Sequence, residues 1–161
     1  YSGEKNVRQF MEAAGKYIDV TSVNYYGTWT PSQQSMKNWE KWSGKPLIIT
    51  EFYVKAEDSG LANQSGAGWV VKTQNDRGLF YQNYCLSLLE SNSCIGWHWF
   101  KYQDNDPEYT KADPSNNDAN KGLVNNDYQF YSPLLKSFKD LNINRYLLLE
   151  YFNKNNNVKQ K

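Results

Sequence analysis

Three short apolar runs, each set between stretches of helical periodicity, constrain this chain more than any other feature. They are Tyr17 to Tyr26 (YIDVTSVNYY), Leu47 to Val54 (LIITEFYV) and Cys94 to Tyr102 (CIGWHWFKY). Each is rich in β-branched or aromatic residues and ends at a turn or a polar segment, which predicts a strand. Between them, apolar residues return at intervals of three and four: Val7, Phe10, Met11 and Ala14, then Met36 and Trp39, then Leu79, Phe80, Leu86 and Leu89. That spacing predicts helices over Glu4 to Lys16, Ser32 to Trp42 and Asp76 to Ser91. Pro31 stands at the start of the second helix, and Ser43-Gly44-Lys45-Pro46 breaks it. Ser132-Pro133 supplies an N-cap and a first-turn proline for a helix through Leu141. Segments 55–68 and 103–126 read as loops. Helices alternating with continuous apolar strands predict a parallel sheet covered on both faces, the α/β class. One unit is expected over residues 1–152, followed by a polar Asn/Lys tail, 153–161, without fixed structure.

Three strands are too few for a closed eight-stranded barrel, which needs about 250 residues. If the strands belong to such a barrel, the chain supplies only its C-terminal portion. Composition narrows the function. With 18 Lys+Arg against 17 Asp+Glu the net charge is +1, which removes the electrostatic case for a nucleic-acid partner. Mean hydropathy is −0.84, and no apolar run is long enough to span a membrane. No basic-then-apolar leader opens the chain. Cys85 and Cys94 match no zinc spacing and read as buried free thiols. A single histidine, His98, leaves no second imidazole for a metal site, and neither phosphate-cradling glycine motif occurs. No cofactor is expected. What remains is a neutral chain with 16% aromatic residues and many amides, a composition suited to carbohydrate.

Ligands of parallel α/β folds sit at the C-terminal ends of the strands. Here those ends read Asn24-Tyr25-Tyr26, Glu51-Phe52-Tyr53, and Trp97-His98-Trp99-Phe100-Lys101-Tyr102 with Asp104 beyond. An ionised carboxylate within an apolar strand costs several kcal/mol unless it is paired or functional. Glu51 is therefore either a structural acid satisfied by an arginine or backbone N–H, or a working one, and the polar and aromatic strand ends around it add weight to the second. Strand alternation puts Asn24 and Tyr26 on one face with Tyr25 on the other, and Trp97 and Trp99 together with His98 opposite. Arg77, behind Asp76 at a helix start, reads as a routine terminal charge, with an inward reach to a carboxylate as the alternative. Trp39 and Trp42 read as packing, and Trp29, in the loop after Gly27, as a border to a sugar subsite.

The stretch from Asp19 to Asp104 resembles the last three strands of the clan-A retaining glycoside hydrolases, which are built on the (β/α)8 barrel. I-I-T-E-F-Y, residues 48–53, resembles the seventh strand with its terminal nucleophile. G-W-H-W-F-K-Y-Q-D, residues 96–104, resembles the eighth, with its aromatic floor. V-N-Y-Y, residues 23–26, resembles the sixth. T-E-F, D-R-G-L-F-Y-Q-N and H-W-F-x-Y-x-D together most resemble β-agarase and related β-galactosidase-like enzymes. The resemblance implies a partial barrel of about the last three β/α units and cleavage of β-linked galactose-type glycans. It implies Glu51 as nucleophile, with Asn24, Tyr26, Tyr53, Trp97, His98, Trp99, Tyr102 and Asp104 as substrate contacts and Trp99 as the sugar platform. A second carboxylic acid about 5–5.5 Å from the nucleophile protonates the leaving oxygen in such enzymes. That acid belongs to the family's fourth strand, which these 161 residues lack, so the chain alone is expected to be inactive. The alternative is a non-catalytic carbohydrate-binding or scaffold domain. Open sheet edges imply a homo-oligomer, and the family implies an extracellular or periplasmic location.

Overall fold

The computed structural model describes residues 3–114 and 116–159. Its centre is a sheet of three parallel strands, β1 (Thr21–Asn24), β2 (Leu47–Glu51) and β5 (Cys94–Trp97), in the order β1-β2-β5. The β-branched residues Thr21, Val23, Ile49 and Thr50 suit a pleated ladder. Along β1 and β2, burial alternates. Thr21, Val23, Leu47 and Ile49 are fully enclosed, while Ser22, Asn24, Ile48 and Thr50 are half-buried. The enclosed face packs against Met11, Met36, Trp39, Tyr84, Cys85 and Leu88, side chains of the helices α1 (Arg8–Ala14), α2 (Gln33–Ser43) and α3 (Gln74–Ser91). The half-buried face carries a short hydroxyl ladder: Ser22 Oγ lies 3.0 Å from Thr50 Oγ1, which donates to Asn24 Oδ1 at 2.9 Å. The core thus lies on one side of the sheet, where helices on both sides were expected from the apolar runs.

Both ends of α2 and the start of α3 have a chemical cause. Ser32 accepts from the Ser35 N–H at 3.2 Å to open α2, and Gly44, at φ +66°, closes it. Thr73 and Asp76 form a reciprocal capping box at the start of α3. The helix α4 (Ser132–Lys159) runs well past Leu141, so residues 153–159 of the expected tail continue it. Residues 160 and 161 lie outside the described residues. Close approach of α3 and α4 depends on Gly78, where a Cβ would stand 2.4 Å from Ser137 Oγ. That proximity lets Tyr81 and Phe138 stack, their ring planes 12° apart.

Segment 55–71 is not a plain loop. Lys55–Ala56 (β3) and Val70–Val71 (β4) pair in parallel, with a single 3₁₀ turn at Glu57–Ser59. Lys55 is buried, and its ammonium donates to the carbonyls of Asn63 at 3.1 Å and Ser65 at 2.6 Å. The third strand is shorter than its apolar run: the ladder ends at Trp97, although His98 N–H still donates to Ile49 O at 2.8 Å. A cis peptide bond joins Phe100 to Lys101.

Buried phenols give the fold a pH limit. Tyr84 Oη donates to Tyr25 O at 2.6 Å and Tyr81 Oη to Asn142 Oδ1 at 2.8 Å. Loss of solvation raises both well above the ordinary tyrosine value, as it does for Tyr26 and Tyr131. A group with a raised native pKa stabilises the fold fully below the unfolded value, about 10, and that contribution is lost as pH climbs beyond it. The buried phenols should ionise in a single step that coincides with loss of far-UV circular dichroism. Smooth ionisation of every tyrosine with the dichroism intact would contradict this placement.

Candidate active site

Glu51 ends β2, and the next residues turn alternately. Phe52 is buried and stacks on Tyr84 with centroids 4.2 Å apart, so Glu51 and Tyr53 emerge on the side away from the helices. From β1, Tyr25 goes into the core, where it meets Trp39 edge-on. Tyr26 takes the other direction and its Oη donates to Glu51 Oε2 at 3.2 Å. Burial, reinforced by the Glu51 charge, raises the Tyr26 phenol and keeps it a donor. The Tyr26 ring meets Tyr53 edge-on at 5.3 Å. Beyond Tyr53 comes Lys121, 1% exposed, its Nζ 5.5 Å from the Tyr53 centroid and 5.3 Å from that of Phe100. Lys121 pairs with Asp113 at 2.9 Å. Desolvation lowers its pKa, opposed by Asp113 and by Glu51. The result is a carboxylate at a strand end, held by one phenol and flanked by rings and a buried cation.

The structure gathers some of the sequence candidates here and disperses others. Glu51, Tyr26 and Tyr53 are adjacent. Asn24 is near in the sheet but uses its carbonyl on Thr50. His98 is exposed just beyond β5. Tyr102 is 61% exposed, and its backbone carbonyl receives Leu123 N–H.

Two expectations require correction. Trp97 and Trp99 do share a side, but it is the helical one. Trp97 Nε1 donates to Tyr81 Oη at 3.0 Å. Trp99 packs among Phe52, Phe80, Tyr81 and Phe138 and donates to Lys121 O at 2.7 Å. An indole whose ring meets core on several sides fills space; it is not an open sugar platform. Asp104 is likewise not open to a sugar hydroxyl. It is 5% exposed and its oxygens accept from Asn120 Nδ2, Gly122 N–H and Tyr131 Oη. A carboxylate with that many donors has little acceptor capacity left.

Phe100, Lys121 and Asp113 are the members of the neighbourhood that sequence reasoning passed over. Lys121 and Asp113 sit in a polar stretch without periodicity, and no local signal marks them. Two of the other acids are engaged elsewhere: Asp58 accepts from Gln74 N–H at 3.0 Å, and Glu40 accepts from Ser93 Oγ at 2.5 Å, at the opposite end of the strands. Among the described residues, no cluster of three or more His, Cys, Asp or Glu could hold a metal, and no helix is long and apolar enough to cross a membrane.

No protein-family model matches the sequence. β-Agarase B of Vibrio sp. (strain JT0107) is 33% identical over 144 residues, which is 87% of this chain and 14% of that protein. The crystal structure of BpGH50 superposes with a TM-score of 0.82 at 42% identity, over 94% of this chain and 31% of the other. The chain resembles one part of the agarases. An exo-β-agarase structure agrees, with a TM-score of 0.75 at 28% identity over 88% of this chain and 18% of its own length. The agarase-like chain therefore spans less than a third of any of these relatives. Its parallel strands and flanking helices are those of a partial (β/α)8 barrel.

Proposed function

We propose that this chain carries the nucleophile half of a retaining glycoside hydrolase that acts on β-linked galactose polysaccharides or oligosaccharides, with Glu51 as the nucleophile. The observation that carries the reading is the Tyr26 Oη hydrogen bond to Glu51 Oε2 at the C-terminal end of β2, in a chain 33% identical to part of a β-agarase. With Oε2 held, Oε1 is the oxygen that attacks the anomeric carbon. The C–O bond to the leaving sugar breaks as an ester to Glu51 forms, and a second carboxylic acid gives the departing oxygen its proton. Water then cleaves the ester with that same acid acting as base, which restores the original anomeric configuration. The acid is proposed to come from outside these 161 residues, from the fourth strand of a whole barrel; Asp58 and Glu40 are bound to Gln74 and Ser93. Asn24 and His98 are proposed to contact sugar hydroxyls, whereas Tyr53, 4% exposed, supports the Tyr26 ring. An extracellular or periplasmic location and self-association through the sheet edges are proposed with it.

The decisive experiment uses a fluorinated β-galactoside, whose electron-withdrawing fluorine slows ester hydrolysis, on a protein carrying this segment within a whole barrel. One sugar mass should appear on the peptide containing Glu51. A label on any other carboxylate would remove Glu51 from the role. The 161-residue chain by itself should bind without turnover; ordinary turnover by it would refute the division of the two carboxylates.

A further inference from the structure

Most tryptophans of this chain are absorbed by the fold: Trp39 is 2% exposed, and Trp97 and Trp99 pack against the core. Trp29 and Trp69 are different. They are 41% and 44% exposed, and they stack on one another with centroids 5.8 Å apart and planes 19° apart. An exposed pair of the largest apolar side chains is an unusual surface for a folded chain to leave in water.

The pair is also held in place from beneath. Asn83 on α3 donates to Trp29 O at 3.0 Å and to Thr30 Oγ1 at 2.9 Å, and Phe80 meets the Trp29 ring edge-on at 5.0 Å. On the other side, Lys55 N–H donates to Trp69 O at 2.8 Å. Gly68 lets this strand of chain lie directly on Tyr53, because a Cβ there would stand 2.4 Å from Tyr53 O. Both loops follow the C-terminal ends of β1 and β2. A narrow cleft lined by Tyr26, Gly27, Thr28, Tyr53, Gly68 and Trp69 lies between Trp69 and the two tyrosines beside Glu51.

We infer that Trp29 and Trp69 form a sugar-binding shelf beside the Glu51 site, taking the apolar C–H face of a neutral sugar ring one or more residues along the glycan from the bond that is cut. The choice of ligand class rests on the glycoside-hydrolase reading; the shelf itself rests on the exposed, pinned rings. Rigid indoles offer contact area at little cost in side-chain entropy. The near-neutral charge of the chain suits an uncharged ligand.

The test is a titration of the 161-residue chain with an agarose tetrasaccharide, read by the indole N–H signals in proton–nitrogen NMR spectra. The signals of Trp29 and Trp69 should move along one saturation curve while that of Trp39 stays in place. Trp69→Ala should weaken binding about tenfold, and Trp69→Phe, which keeps a ring, should fall between. Unmoved Trp29 and Trp69 signals, or wild-type affinity in Trp69→Ala, would overturn the shelf. The two readings fail separately. Sugar label on Glu51 with silent indoles sinks the shelf alone, whereas shifting indoles with the label elsewhere sink the nucleophile alone.

Discussion

In a protein that carries this segment within a whole barrel, Glu51→Gln is expected to lower kcat on a β-linked galactose oligosaccharide on the order of 10⁴-fold, with KM little changed. The amide nearly matches the carboxylate in shape, and its carbonyl still accepts from Tyr26 Oη, so the hydrogen bond at 3.2 Å has a counterpart in the variant. Packing is preserved because Glu51 is only half-buried, at the margin of the sheet. What disappears is the negative oxygen that forms the glycosyl ester and balances positive charge at the anomeric carbon. That interaction strengthens on the way to the transition state, so its loss falls on kcat rather than on binding. Release of reducing ends under saturating substrate measures it. A loss smaller than about tenfold would mean that Glu51 is a structural acid that happens to sit at a strand end.

The second large effect is on stability. Arg77 has no exposed surface. Its guanidinium donates to Val54 O at 2.9 Å, Gln74 Oε1 at 2.7 Å and Gly122 O at 2.9 Å, and it lies 5.3 Å from the Trp99 centroid and 5.5 Å from that of Tyr131. Desolvation pushes its pKa down to about 10, opposed chiefly by Asp104, so it stays cationic at neutral pH. Arg77→Met would leave three acceptors without their donor and the buried Asp104 without its balancing charge. Removing one partner of a buried charged network costs about 3–5 kcal/mol, a large share of the 5–15 kcal/mol or so that holds a typical domain folded. For a chain of this size that is a fall in Tm of roughly 6–20 °C. Arg77→Lys, which keeps the charge but not the planar fork, should lie between. A Tm within about 2 °C of the parent for Arg77→Met would show that the carbonyls find other donors.

The order of elements was readable because its signals are local. Apolar spacing marked α2 and α3, Pro31 and Ser132-Pro133 marked helix starts, and the β-branched runs marked β1 and β2. Face assignment was readable only in part. Alternation correctly paired Trp97 with Trp99 and opposed Tyr25 to Tyr26, but a period of two says which residues share a face, not which layer that face meets. Tyr81 and Phe138, the groups that draw the two indoles toward the helices, lie well separated from them in sequence. Asp104 was misread for the same reason. Its donors Asn120, Gly122 and Tyr131 are 16 to 27 residues away, in a polar stretch where nothing periodic announces burial. Arg77 did reach inward, but its main partners are backbone carbonyls, which no side-chain pattern can reveal.

The two outermost strands, β1 and β5, have consequences for whatever the sheet meets. All three strands point the same way, so one edge is not the mirror of the other. Two copies joined by a two-fold axis through the same edge would have to run in opposite directions where they touch, putting a reversed pair into an otherwise uniform ladder. Copies joined in the uniform sense would set β1 of one against β5 of the next, a head-to-tail arrangement that either closes into a ring or grows without end. A companion segment with strands of its own escapes both outcomes, because it can meet the two different edges at once.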